Sequence, residues 1–138
     1  MQLTRRDALS LGLGATALAL VPLRVSAAAD EAIAAFTGGA APAMAGITLT
    51  APEIAENGNT VPISVDSPGA VEIRVFADGN PTPAVAAFTF GPLAATHSAS
   101  TRIRLAGTQD VVAIARMGDG SFAEARQTVK VTIGGCGG

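Results

Sequence analysis

From residue 47 onward the chain is a series of short runs in which apolar residues take every second place, and turn-forming residues cut each run off. A period of two puts the apolar residues on one face of an extended strand, so such a chain buries them by stacking sheets rather than helices. Ile47-Thr48-Leu49 is the first run, followed by Pro52 and Asn57-Gly58-Asn59. Val61, Ile63 and Val65 alternate with Pro62 and Ser64, and the proline places that strand at an edge or at its start. Asp66-Ser67-Pro68-Gly69 turns the chain into Val71, Ile73 and Val75, which alternate with Glu72, Arg74 and Phe76 until Asp78-Gly79-Asn80-Pro81-Thr82-Pro83 stops them. Phe88 and Phe90 mark the next strand. Thr101, Ile103 and Leu105 then face inward while Arg102 and Arg104 face water.

Gln109 to Met117 is more continuously apolar around Val111, Val112 and Ile114, the pattern of a central strand. Met117-Gly118-Asp119-Gly120 is a hairpin-type turn, and the final strand carries Val129, Val131 and Ile133 against Thr128, Lys130 and Thr132. About seven short strands predict an all-β, two-sheet antiparallel sandwich over residues 30–133. With no Trp or Tyr and five Phe, its core falls to Val, Ile, Leu and Ala. One short helix precedes it: Asp30 is a candidate cap for Glu31 to Thr37, Ile33 and Phe36 share a face, and Gly38-Gly39 ends it.

Residues 1–29 read as an export signal. Arg5 and Arg6 supply a positive segment, Ala8 to Leu23 is an uncharged run of 16 residues, and Val25-Ser26-Ala27-Ala28-Ala29 offers small residues to a signal peptidase. That run is shorter than the roughly 20 apolar residues a bilayer span needs, so no stable membrane insertion is expected once the signal is removed. Thr4-Arg5-Arg6 followed by Ala8-Leu9 resembles a twin-arginine signal, in which a bulky apolar residue commonly stands where Ala8 does. Substrates of that route cross folded, so a chain without a cofactor of its own is expected to travel beside a subunit.

Residues 30–138 carry six basic residues, Arg74, Arg102, Arg104, Arg116, Arg126 and Lys130, scattered among ten acidic ones. This gives no basic stripe for a phosphate backbone, which excludes nucleic acid as a partner. A metal site is not expected either, because one histidine, His97, and one cysteine cannot make a ligand cluster with scattered carboxylates. Thr96-His97-Ser98 reads as a solvated loop, and no base or glycine-rich phosphate motif stands ready for catalysis, so no catalytic residue and no cofactor are assigned.

Gly134-Gly135-Cys136-Gly137-Gly138 is left as the informative stretch. Four glycines offer no side chain to pack and leave both signs of φ open, which predicts a flexible arm over residues 134–138 carrying the sole thiol. An unpaired cysteine in an exported chain points to intermolecular pairing or to a thiol in use. From Ile133 the sulfur reaches roughly 10–15 Å, enough to enter a cleft in another protein. The alternatives from the residues themselves are a frayed tail or a structural module that dimerises through a Cys136 disulfide. Lipid attachment fits poorly: prenylation wants a cysteine four from the end, and this one is three from it.

With that pentapeptide, the Arg5-Arg6 signal and the short helix stand three internal stretches: Ile47-Thr48-Leu49-Thr50-Ala51-Pro52-Glu53-Ile54-Ala55-Glu56-Asn57-Gly58, Asn80-Pro81-Thr82-Pro83, and Arg102-Ile103-Arg104-Leu105-Ala106. Together they resemble the SoxY family, the Y subunits of the bacterial sulfur-oxidation (Sox) carrier complex, over nearly the whole chain. The resemblance implies an immunoglobulin-like periplasmic subunit paired with a small β-sandwich Z subunit, SoxZ. It also implies that Cys136 carries thiosulfate-derived groups as thiosulfonate and persulfide adducts, and that the chain itself catalyses nothing. The implied partners are a haem c enzyme that attaches thiosulfate, a manganese hydrolase that releases sulfate and a molybdenum–haem dehydrogenase that oxidises the remaining sulfur.

Overall fold

The alternating runs sort onto two stacked sheets in the computed structural model, which describes residues 21–132. Helix α1 (Val21–Thr37) comes first. Strands β1 (Thr48–Thr50), β2 (Ile54–Ala55), β3 (Val61–Asp66), β4 (Ala70–Ala77), β5 (Ala84–Thr89), β6 (Ser98–Ile103), β7 (Gln109–Met117) and β8 (Phe122–Val131) follow. One sheet has three strands in the order β1-β3-β6, and the other has five in the order β2-β8-β7-β4-β5. The sandwich is immunoglobulin-like, as expected, and β7 lies at the centre of the larger sheet.

Val61, Ile63 and Val65 of β3 face Ile73 and Val75 of β4 and Val111, Ala113 and Ala115 of β7 across the core, with Ile103, Leu105 and Val129 closing it. All are almost fully buried. β7 is apolar on both faces because the second face is covered too: Val112 and Ile114, with Phe76 of β4, lie beneath Ala32, Ile33 and Phe36 of α1. Full burial of a side chain such as Val112, Ile114 or Phe76 contributes about 1.5–3 kcal/mol, and the half-buried Ile33 and Phe36 add less, which together fixes the helix to the sheet. Phe36 anchors it, edge-on to Phe122 with ring centroids 5.6 Å apart and tilted against Phe76 at 6.4 Å.

The structure departs from expectation in three places. First, α1 begins at Val21 instead of Glu31, so Asp30 sits inside the helix and is not its cap. Nothing between Leu23 and Gly38 breaks a helix, and the alanines at 27–29 are strong helix formers. Gly38 ends it with φ of 65°, and the Gly39 N–H reaches back to the Ala34 carbonyl at 3.2 Å, closing the helix as a left-handed C-terminal cap. The helix thus runs across the expected boundary at residue 29.

Second, an eighth strand, β2, pairs in parallel with β8, Ile54 opposite Lys130 and Ala55 opposite Val131, so the sandwich is not antiparallel throughout. Third, β8 starts at Phe122, earlier than its alternation, because Phe122, Ala123 and Ala125 complete the ladder with β7. β3 lies in the middle of its sheet and Pro62 stands at the strand's start, one of the two placements expected, with its flank toward β1 open because β1 pairs only with Ser64 to Asp66.

Candidate functional site

The described chain ends at Thr132, and what surrounds that end is the candidate site. β8 is held there from both sides. Toward β2, the Lys130 N–H donates to the Glu53 carbonyl at 2.9 Å and the Thr132 N–H to the Ala55 carbonyl at 3.1 Å. On the other side, the Val131 N–H donates to Thr108 Oγ1 at 3.0 Å, and that hydroxyl donates back to the Val131 carbonyl at 3.4 Å. The strand therefore leaves the sheet from a fixed point.

Three loops form the rim around that point, and each is tied to the next. The Leu105 N–H donates to the Gly58 carbonyl at 2.7 Å, joining the 56–60 loop to the segment after β6. Asn80, buried, donates from Nδ2 to the Arg104 carbonyl at 2.7 Å, while its Oδ1 accepts from the Ala106 N–H and from Gln109 Nε2, both at 2.9 Å. Gln109 continues the chain of bonds, accepting from the Gly79 N–H at 2.8 Å and donating to the Gly107 carbonyl at 3.0 Å. Asp78 Oδ1 accepts the Asp110 N–H at 2.9 Å. A buried amide is costly unless satisfied, and no buried side-chain nitrogen or oxygen among the described residues lacks a partner.

Gly79 is required by space: a Cβ there would stand 2.9 Å from the Gln109 Cβ. Two shallow clefts open at this rim. One of about 490 Å³ is lined by Pro52, Ile54, Ala55, Glu56, Asn57, Thr60 and Pro62, and one of about 290 Å³ by Asn80, Pro81, Thr82, Arg104 and Ala106. Residues 53–58, 80–83 and 102–106, parts of the three internal stretches singled out in the sequence, thus converge on the end of the sandwich where β8 stops, while Thr48, opposite Asp66, lies toward the other end.

Cys136 and the glycines at 134, 135, 137 and 138 lie outside the described residues, as do Arg5 and Arg6. His97 is described, and it is not a solvated loop residue. Its Nδ1 lies within hydrogen-bond reach of the Ala70 carbonyl, its ring packs 5.4 Å from Phe90, and its carbonyl accepts the Ser67 N–H at 3.0 Å. It joins the β3–β4 turn to the start of β6, at the opposite end of the sandwich from Thr132. Among the described residues no group of three His, Cys, Asp or Glu is placed to hold a metal ion. Sequence reasoning missed the β2 clamp and the Asn80–Gln109 network; a polar glutamine at the head of an apolar strand was the one available signal for the latter.

The family model for the sulfur oxidation protein SoxY matches residues 33–136, a span that includes Cys136. The chain belongs to the SoxY family. A solved member, the sulfur carrier protein SoxY from Chlorobium limicola f thiosulfatophilum, is 38% identical, with a TM-score of 0.68 over 80% of this chain and 97% of that one. Superoxide reductase (neelaredoxin) from Ignicoccus hospitalis matches at 18% identity and TM-score 0.55, over 62% of this chain and 78% of that one. A putative superoxide reductase from Thermotoga maritima matches at 19% and 0.52, over 63% and 86%. These two share the sandwich with the SoxY family and show the fold alone. No curated protein sequence matches the chain.

Proposed function

We propose that this SoxY-family chain is a covalent sulfur carrier: Cys136 holds thiosulfate-derived groups and presents them to partner enzymes, while the sandwich serves as a handle. The observation that carries this is the clamped end of β8, from which Gly-Gly-Cys-Gly-Gly departs after Ile133. A fixed root and a side-chain-free tether together let one thiol search a volume set by the arm's length, which keeps the bound group at high effective concentration near each partner.

The thiolate is the reacting form, and an ordinary thiol with pKa near 8.5 is only a few per cent ionised at neutral pH, so the partner that receives the arm completes its activation. Joining the Cys136 thiolate to thiosulfate makes a sulfur–sulfur bond and releases two electrons, which a haem c partner accepts. Water then cleaves the terminal sulfur–sulfonate bond on a manganese hydrolase, releasing sulfate and two protons and leaving a persulfide on Cys136. A molybdenum–haem dehydrogenase oxidises that sulfur. None of these steps is assigned to a residue of this chain other than Cys136, and the chain is read as a carrier and not an enzyme.

The same reading pairs the chain with a SoxZ subunit and places it in the periplasm, exported through the Arg5-Arg6 signal in residues 1–29. No helix among the described residues is long and apolar enough to cross a membrane.

Intact-mass spectrometry tests the carrier role. The chain incubated with thiosulfate, its Z subunit and the haem c partner is expected to gain a thiosulfonate mass, lost on reduction. The Cys136→Ser chain is expected to gain none and to support no turnover while melting at the same temperature. Full turnover by that variant would sink the carrier reading.

A further inference from the structure

Ala29 is 1% exposed, although the sequence marks it as the last residue of an export signal. It lies in α1 one turn ahead of Ala32 and Ile33 and two turns ahead of Phe36, the three residues that pack on Phe76, Val112 and Ile114. Spacings of three, four and seven put all four residues on one face, so Ala29 belongs to the side of the helix turned toward the sheet. Ala28 is half-buried and Ala27 is exposed. Accessibility along the helix thus rises step by step from Ala29 back to Ala27.

A signal peptidase cuts after a small residue that has another short residue two places before it. Three adjacent bonds meet that demand, the ones after Ala27, Ala28 and Ala29, with Val25, Ser26 and Ala27 as the respective second residues. The sequence does not separate them, and the fold does. The residue before the cut has to leave the helix and enter the peptidase as extended chain. A twin-arginine substrate reaches the peptidase folded, so drawing out Ala29 costs its burial and undoes the turn that leads into Ile33. Drawing out Ala27 costs no burial.

Charge favours a helix that starts there as well. In α1 as it stands, the first turn holds no acidic residue and does hold Arg24, a cation at the positive end of the helix dipole, while Asp30 and Glu31 lie mid-helix. A helix beginning at Ala28 brings both carboxylates into its first turn, beside the unpaired N–H groups and the new terminal ammonium. We propose that the Ala27–Ala28 bond is the processing site of the exported chain. A signal peptidase hydrolyses it, with water giving its oxygen to the Ala27 carboxylate and its two hydrogens to the Ala28 ammonium. Ala28 and Ala29 stay on the folded domain as the first residues of α1. The inference rests on the export reading of the Arg5-Arg6 segment, and it ends the signal two residues before the boundary at Ala29.

The full chain, produced in a bacterium with a twin-arginine route and recovered from the periplasm, is read by intact mass and N-terminal sequencing. The expected start is Ala28. A start at Ala29, at Asp30 or ahead of Ala28 overturns the site, and a chain found only uncut in the cytoplasm overturns the export reading with it. Ile33→Ala together with Phe36→Ala, which loosens α1, is expected to spread the start to Ala29 and Asp30. A start that stays wholly at Ala28 in that exported variant would show that burial does not choose the bond. Should the variant fail to fold, amide exchange decides, in the full chain kept uncut in the cytoplasm by Arg5→Lys and Arg6→Lys. Amides of Val25 to Ala28 are expected to exchange roughly tenfold or more faster than those of Ile33 to Phe36, and equal protection of the two segments overturns the proposal. Cys136 enters none of these readings, so the processing site and the carrier role fail separately.

Discussion

The Thr132 N–H donates to the Ala55 carbonyl at 3.1 Å, tying the end of the described chain to a two-residue strand far upstream in sequence. With the Thr108 hydroxyl on the other flank, this bond makes the end of β8 a fixed point, and several features of the sandwich can be tested by measurement.

Asn80 holds the rim together through three bonds, so Asn80→Ala takes away the acceptor of the Ala106 N–H and the donor to the Arg104 carbonyl. A loss of about 1–3 kcal/mol is expected in urea unfolding. Gly79→Ala is expected to lower stability too, by driving a Cβ against the Gln109 side chain. If both variants unfold at the parent midpoint, the network does not hold the rim.

Glu72 sits between two guanidinium groups, Arg74 at 2.6 Å and Arg116 at 3.0 Å, and only 11% of its side chain is exposed. Both arginines remain close to half exposed, so removing the carboxylate strands no buried charge. Glu72→Gln is therefore expected to cost about 1 kcal/mol, less in high salt. Denaturation at low and high ionic strength checks the size and the salt dependence together.

Phe36→Ala removes the ring that touches Phe76 and Phe122 and carries the Arg74 guanidinium 4.4 Å above its centre. Because Phe36 is half-buried, a loss of about 1–3 kcal/mol is expected, with Tm falling by several degrees. Calorimetry giving an unchanged Tm would mean that α1 does not fasten to the sheet.

The Ser121 hydroxyl, and then its backbone N–H, hold the Asp119 carboxyl below the ordinary aspartate value. A carboxyl depressed in the folded state adds stability above its unfolded pKa and loses it as pH falls through the folded one. An NMR titration of Asp119 is expected to show the lowered midpoint, and Ser121→Ala to raise it toward the ordinary range; a midpoint that does not move assigns the cause elsewhere.

Periodicity is a local signal, and what it governs was legible. Val71 to Phe76 and Gln109 to Met117 became β4 and β7 in the larger sheet, and Gly38-Gly39 closed the helix. Pairings between distant residues were not. Ile54-Ala55 is too short to show alternation, and its partner is Lys130-Val131. His97 looked solvated because the carbonyl that anchors it belongs to Ala70, 27 residues away. The start of α1 was hidden because the alanines that extend a helix are also the small residues a signal peptidase accepts. Residues 53–58, 80–83 and 102–106, far apart in sequence, turned out to form one rim at the end of β8.

The pairing of β8 with β7 on one side and β2 on the other also bears on traction. On the carrier reading, a partner that drew Cys136 into a pocket would pull along the axis of β8, and the ladders with β7 and β2 on its two flanks would share that load.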